Sequence, residues 1–140
     1  MFERCLYFNV NALSRAVNRI WIKSFEPFGL SPAHAYLLRL ILAKPGVSQK
    51  EAGEILTLEK STITRFVTTL IENGCVARRK SSDNDMRKQA LFPTKKAKEM
   101  EKQLNDAGNN LYNQMLKDIG KEELTGLVKD MRKASKKLLK

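Results

Sequence analysis

Residues 48–74 read SQKEAGEILTLEKSTITRFVTTLIENG, and this stretch decides the fold. Ser48, Gln49, Lys50 and Glu51 form a capping-box pattern, in which the serine side chain and Glu51 each satisfy a free backbone amide at a helix start. A short helix is predicted from there to about Leu56. Next, Ile63, Phe66, Val67, Leu70 and Ile71 recur at the three- and four-residue spacing of one helix face, while Ser61, Thr62, Thr64, Arg65, Thr68 and Thr69 occupy the other. Asn73-Gly74 ends this second helix as a C-cap. Two short helices joined by a tight turn, the second polar on its outer face, predict a helix-turn-helix.

C-terminal to this unit, Cys75 to Lys80 is strand-like, and Ser81-Ser82-Asp83-Asn84-Asp85 is dense in turn formers. Lys88 to Phe92 then returns as a second strand, predicting a two-stranded hairpin. The hairpin is basic and directly follows the helix-turn-helix, so the unit reads as winged. A B-form major groove admits one α-helix, which must bury its apolar side and present short donors and acceptors outward. Ser61, Thr62, Thr64, Arg65 and Thr68 are the candidate DNA-binding residues on the helix, with Arg65 suited to a bidentate contact with guanine. On the hairpin the candidates are Arg78, Arg79, Asp85, Arg87 and Lys88, since such a loop can straddle the backbone and insert an arginine into the minor groove. Asp85 pointing at phosphate would be repelled, so its expected role is to pair with a nearby arginine and hold the wing in shape. The competing reading of these charges is a solvated turn; their position after the helix-turn-helix favours DNA.

Further out, Leu6, Val10, Leu13, Val17, Ile20 and Phe25 predict a first helix from about Arg4 to Phe25, stopping before Pro27 and Gly29. Ser31 then reads as the N-cap and Pro32 as the first residue of a second helix, with Ala33, Leu37, Leu40 and Ile41 on one face. Beyond Thr94, Ala97, Met100, Leu104, Ala107, Leu111 and Met115 predict a long helix with a near-heptad seam, broken at Gly120. A last helix from about Glu122 to Leu139 is expected to bury Leu124, Leu127, Val128, Met131 and Leu138. The fold class expected is mainly α with a small β-hairpin wing: a winged helix-turn-helix flanked by N- and C-terminal dimerisation helices. Their apolar stripes are longer than the central unit can cover, which points to a homodimer.

Composition bounds the rest. A chain of 140 residues with 42% hydrophobic and 29% charged residues is the size of one domain. Its net charge of +11 points to a polyanionic partner, with double-stranded DNA ahead of an anionic membrane surface. No apolar run or signal-peptide pattern is present, so no membrane association and a cytoplasmic location are expected. Cys5 and Cys75 lie far apart without a C-x-x-C pair and read as reduced thiols. The single histidine, His34, has no matched Cys, Ser or carboxylate motif, and neither a Gly-rich phosphate loop nor metal-ligand spacing appears. No enzyme activity, cofactor or metal is expected.

Several segments resemble the MarR family: Gly29-Leu30-Ser31-Pro32, Ser61-Thr62-Ile63-Thr64-Arg65, Glu72-Asn73-Gly74-Cys75-Val76, Arg78-Arg79, and Asp85-Met86-Arg87 followed seven residues later by Thr94. The resemblance covers essentially the whole chain. It implies a transcription regulator in which Thr62, Thr64 and Arg65 lie in the major groove, Arg87 reaches the minor groove and Asp85 supports it. It also implies a single domain over 1–140, with a DNA-binding unit at about 31–93 and interlocking dimerisation helices at about 1–26 and 94–140. A two-fold dimer matches a pseudo-palindromic operator with half-sites ~10 bp apart, held by a repressor that a small ligand releases. Many relatives bind a small aromatic molecule beside the dimer helices; Trp21, Phe25, His34 and Tyr36 are the candidates here, with core packing as the alternative. Oxidation-sensing relatives carry a first-helix cysteine where this chain has Tyr7, so Cys5 is out of register for that role. The chain departs from the family at Pro93 and Ala97, where leucine and glycine are usual, which makes wing geometry the open point. The alternative function is a winged-helix protein–protein or RNA-binding module. RNA binding would call for exposed stacking aromatics, and protein docking for exposed apolar wing residues.

Overall fold

The computed structural model describes residues 1–80 and 89–139. After a 3-10 turn, Phe2–Arg4, come α1 (Leu6–Phe25), a second 3-10 turn, Glu26–Phe28, then α2 (Pro32–Ala43), β1 (Val47–Ser48), α3 (Gln49–Leu56) and α4 (Lys60–Glu72). β2 (Val76–Lys80), β3 (Gln89–Pro93), α5 (Lys95–Ile119) and α6 (Lys121–Leu138) complete the order. This is the mainly α, winged helix-turn-helix class expected.

The helix starts follow from local chemistry. Ser31 Oγ accepts from the His34 N–H at 3.3 Å to cap α2, with Pro32 at the first helical position. Ser48 Oγ accepts from the Glu51 N–H at 3.0 Å to cap α3. Only this half of the expected capping box is seen, and the Glu51 carboxylate pairs with the Lys44 ammonium.

The turn between α3 and α4 takes only Thr57, Leu58 and Glu59. Thr57 ends α3 in the left-handed region, at φ 56°, and the Leu58 N–H donates back to Gly53 O at 2.8 Å. Gly53 permits this closure: a Cβ there would stand 3.3 Å from Leu58 O and 3.5 Å from Ile63 Cγ2. α3 therefore packs directly on α4. Ile63, Val67 and Leu70 of α4 are buried, whereas Phe66 and Ile71 are only half-buried.

The sheet has three strands, in the order β1-β3-β2, all antiparallel, in place of the two expected. Val47 pairs with Leu91 and Val76 with Pro93. β1 is two residues long and merges into the Ser48 cap, so it carries no alternation for a pattern to detect. Pro93 is accommodated without loss. The Thr94 N–H donates to Cys75 O at 3.0 Å, so the adjacent Val76–Pro93 pair exchanges no bonds and the missing amide would point away from β2.

α2 forms the centre of the core, with α1, α3, α4 and β3 all packing on it. Ala35, Leu37, Leu38, Ile41 and Leu42 are accordingly buried, a wider face than the single stripe expected, and Ala33 is exposed instead. The chain divides into two compact units, Met1–Asn105 and Asp106–Lys140.

The long helices correct two expectations. On α5, Ala97, Leu104, Leu111 and Met115 are already buried within one chain, so the near-heptad seam is not left open for a partner. On α6 only Leu124 is buried; Leu127, Val128 and Met131 are 37–46% exposed and Leu138 71%. The α1 stripe is likewise open at its N-terminal end, where Leu6, Val10 and Leu13 are exposed, and closes only at Phe25.

Candidate nucleic-acid interface

α4 is amphipathic in the way that lets one face be held while the other is offered. With Ile63, Val67 and Leu70 inside, Ser61, Thr64, Arg65 and Thr68 are exposed on the outside and Thr62 is half-buried. Thr68 Oγ1 donates to Thr64 O at 2.9 Å and Thr69 Oγ1 to Arg65 O at 3.1 Å, so these hydroxyl protons turn back into the helix. Among the described residues, the Arg65 side chain forms no hydrogen bond or ion pair. At the N-terminal end of α4, Glu59, Lys60, Ser61 and Thr64 line an open depression of about 590 Å³. The first-turn N–H groups and the helix dipole make this end electropositive.

The hairpin bases join this face through one residue that pattern reading passed over. Gln49, the first residue of α3, donates from Nε2 to Thr64 Oγ1 at 2.8 Å and accepts at Oε1 from Arg78 Nη2 at 3.3 Å. Thr64 Oγ1 in turn donates to Lys60 O at 2.8 Å. β2, α3 and α4 are thus tied by a single amide. The residue sits inside the Ser48–Glu51 capping motif, and helix-start geometry places it at the mouth of the helix-turn-helix; that position was the available signal.

Arg78 and Arg79 were grouped in the sequence, but strand alternation sends them to opposite faces of the sheet. Arg78 meets Gln49, whereas the Arg79 guanidinium lies over the Phe92 ring, 5.2 Å from its centroid. Phe92 is Arg79's diagonal cross-strand neighbour, since Arg79 pairs with Ala90. Asp85, Arg87 and Lys88 lie outside the described residues.

The four aromatic-site candidates also separate. Trp21 Nε1 donates to Tyr36 Oη at 3.1 Å, and Phe25 meets Tyr36 edge-on at 5.8 Å, with the Arg39 guanidinium 5.1 Å from the Tyr36 ring centre. His34 leaves this cluster and packs on Phe66 of α4, ring centres 4.6 Å apart. Cys5 is half-buried and Cys75 buried, both free thiols. Among the described residues no group of His, Cys, Asp and Glu could hold a metal ion, and no helix is long and apolar enough to cross a membrane.

Comparison with known proteins agrees with this architecture. A sequence model of the MarR family matches residues 28–88. The chain is 28% identical over 121 residues to YwoH of Bacillus subtilis (strain 168), an uncharacterized HTH-type transcriptional regulator, covering 86% of this chain and 87% of that one. It is also similar to a solved MarR protein from Peptoclostridium difficile, with 28% identity and a TM-score of 0.78 over 93% of this chain and 84% of the other. The fold is shared with a putative MarR family regulator from Listeria monocytogenes solved in complex with a 26mer DNA (TM-score 0.78, 20% identity, 96% of this chain and 89% of that one). On sequence and architecture together, residues 28–88 match the MarR family and the chain as a whole is similar in fold to solved winged helix-turn-helix proteins described as MarR regulators.

Proposed function

We propose that this regulator binds double-stranded DNA as a homodimer, with α4 in the major groove of each half-site of a pseudo-palindromic operator. The observation that carries the reading is the outward face of α4: an exposed Arg65, unpaired among the described residues, beside short hydroxyl side chains and backed by a buried apolar face. Arg65 suits bidentate recognition of guanine, and Ser61, Thr62, Thr64 and Thr68 suit base edges or phosphates. Arg78 approaches the backbone beside α4, and Arg87 with Asp85 forms the minor-groove contact of the wing. Lys88 adds to the positive field there. Exposed aromatic stacking residues, which an RNA-binding module would use, do not appear on the outer face of α4, where Phe66 is covered by His34.

Dimerisation is the role of residues 1–26 and 94–140. The exposed apolar residues of α1 and of α6 support this, each forming a stripe on its own helix. Bound to its operator in the cytoplasm, the dimer represses transcription by occupying promoter DNA. A small aromatic molecule relieves it from the Trp21, Phe25 and Tyr36 cluster, where the Arg39 guanidinium supplies a positive group beside an apolar surface. His34 transmits between this helix and α4 through Phe66. No catalytic step is part of this role.

The test is selection of bound fragments from sheared genomic DNA of the source at near-physiological salt, followed by sequencing. One enriched pseudo-palindrome with half-sites about 10 bp apart is expected. Recovery of no motif would overturn operator binding.

A further inference from the structure

We infer that Gln49 is a specificity-determining residue, which orients Thr64 so that it reads only bases presenting an amine in the major groove, adenine or cytosine. The inference rests on α4 entering that groove.

Proton direction decides which atoms face the groove. A guanidinium carries only donors, so the group that Gln49 turns toward Arg78 must be its amide oxygen, as the 3.3 Å Nη2–Oε1 contact has it. The amide nitrogen is then left facing Thr64, 2.8 Å from Oγ1, and it can only donate. Lys60 O, 2.8 Å away on the other side, can only accept, so the hydroxyl proton of Thr64 is directed there. A hydroxyl has one proton and two lone pairs. The proton and one lone pair are therefore committed, and a single lone pair remains pointing outward.

An outward lone pair accepts from adenine N6 or cytosine N4 and meets repulsion from guanine O6 and N7 or thymine O4. Thr68 follows the same logic, since its proton is given to Thr64 O at 2.9 Å. The outer face of α4 thus divides its chemistry: threonine oxygens accept, while Arg65 donates. Without Gln49, only the bond to Lys60 O holds the Thr64 hydroxyl, and no donor opposes its rotation when an acceptor base draws the proton outward.

The test compares fragment selection for the full-length protein, Thr64→Val and Gln49→Leu, with each variant's thermal melt recorded as a check of folding. In the unsubstituted protein one position of each half-site prefers adenine or cytosine. Thr64→Val lowers that preference by about three- to tenfold, the size of one neutral hydrogen bond, and Gln49→Leu relaxes it toward guanine and thymine at the same position. Base preferences elsewhere stay unchanged, and for Thr64→Val the slope of affinity against salt does too, because that substitution touches no charged side chain. A DNA-side measurement needs no variant: replacing that adenine by 2-aminopurine, which moves the amine to the minor groove, or that cytosine by 2-pyrimidinone, which lacks it, gives the same loss. Retention of every positional preference in both variants, an equal change at all positions in Gln49→Leu, or indifference to the modified base would overturn the inference while leaving operator binding intact. Absence of any motif for the unsubstituted protein would instead remove the DNA reading on which it rests.

Discussion

At the scale of single residues, His34 shows how two-residue spacing decides company. It was grouped with Trp21, Phe25 and Tyr36 as an aromatic-site candidate, but residues two apart on a helix point to nearly opposite sides, so Tyr36 joins the cluster and His34 turns to α4. There the ring rests on Phe66, Nδ1 meets Ser31 Oγ, and Nε2 is buried with no hydrogen-bond partner among the described residues. Burial holds its pKa below the ordinary 6.5, so the folded state favours the neutral ring. The unfolded chain then binds more protons than the folded one as pH drops below about 6.5, and stability present above that pH is lost on acidification. Thermal melts stepped downward from neutral pH should show this decline, and His34→Phe should flatten it without affecting the melt at pH above 7. A decline identical in both proteins would assign it to other groups. Arg65 is legible in the sequence because it stands opposite an apolar stripe. Gln49 is not, since its role depends on Thr64 and Arg78, fifteen and twenty-nine residues away.

At the scale of elements, caps and turns carry more than their length suggests. Thr94 Oγ1 accepts from the Ala97 N–H at 3.3 Å to start α5 and donates to Gly74 O at 2.6 Å, tying the end of the sheet to the end of α4. Thr94→Ala is expected to lower stability by about 1–2 kcal/mol in denaturant titration, the range of a lost N-cap. Thr57 presents the reverse case. A β-branched residue at φ 56° carries about 1–2 kcal/mol of left-handed strain, and glycine would relieve most of it despite its entropy in the unfolded chain. Thr57→Gly is therefore expected to raise the denaturation midpoint by an amount worth about 1 kcal/mol or less, with an unchanged slope; a lower midpoint would show that Thr57 holds the turn through its side chain.

At the scale of the whole molecule, the decisive quantities are charge and uncovered apolar surface. A net charge of +11 favours rapid encounter with polyanions and makes affinity fall steeply with salt. Homodimerisation is argued from α1 and α6, whose exposed Leu6, Val10, Leu127, Val128 and Met131 are too many large apolar groups to leave in water. Sedimentation should give a particle of twice the 16.0 kDa chain mass. Val10→Glu combined with Val128→Glu should shift it toward the single-chain mass and weaken operator binding by at least about 100-fold, because each half-site would then bind alone. A double variant that sediments as the dimer would place the interface elsewhere.

The sequence by itself determined the order of the six helices and the hairpin, the caps at Ser31 and Ser48, the apolar face of α4 and the basic character of the hairpin. Each of these depends on residues a turn or a strand apart, where periodicity and local hydrogen bonding act within one segment. Only the tertiary structure decided the third strand, the separation of Arg78 from Arg79, the burial of the α5 seam within one chain and the Gln49 bridge. β1 is too short to carry a period, and a seam looks the same in sequence whether its own chain or a second one covers it. The bridge exists because the close approach of α3 and α4 at Gly53, together with the sheet, brings distant donors and acceptors into register, and hydrogen-bond polarity is settled only when all the partners are in place.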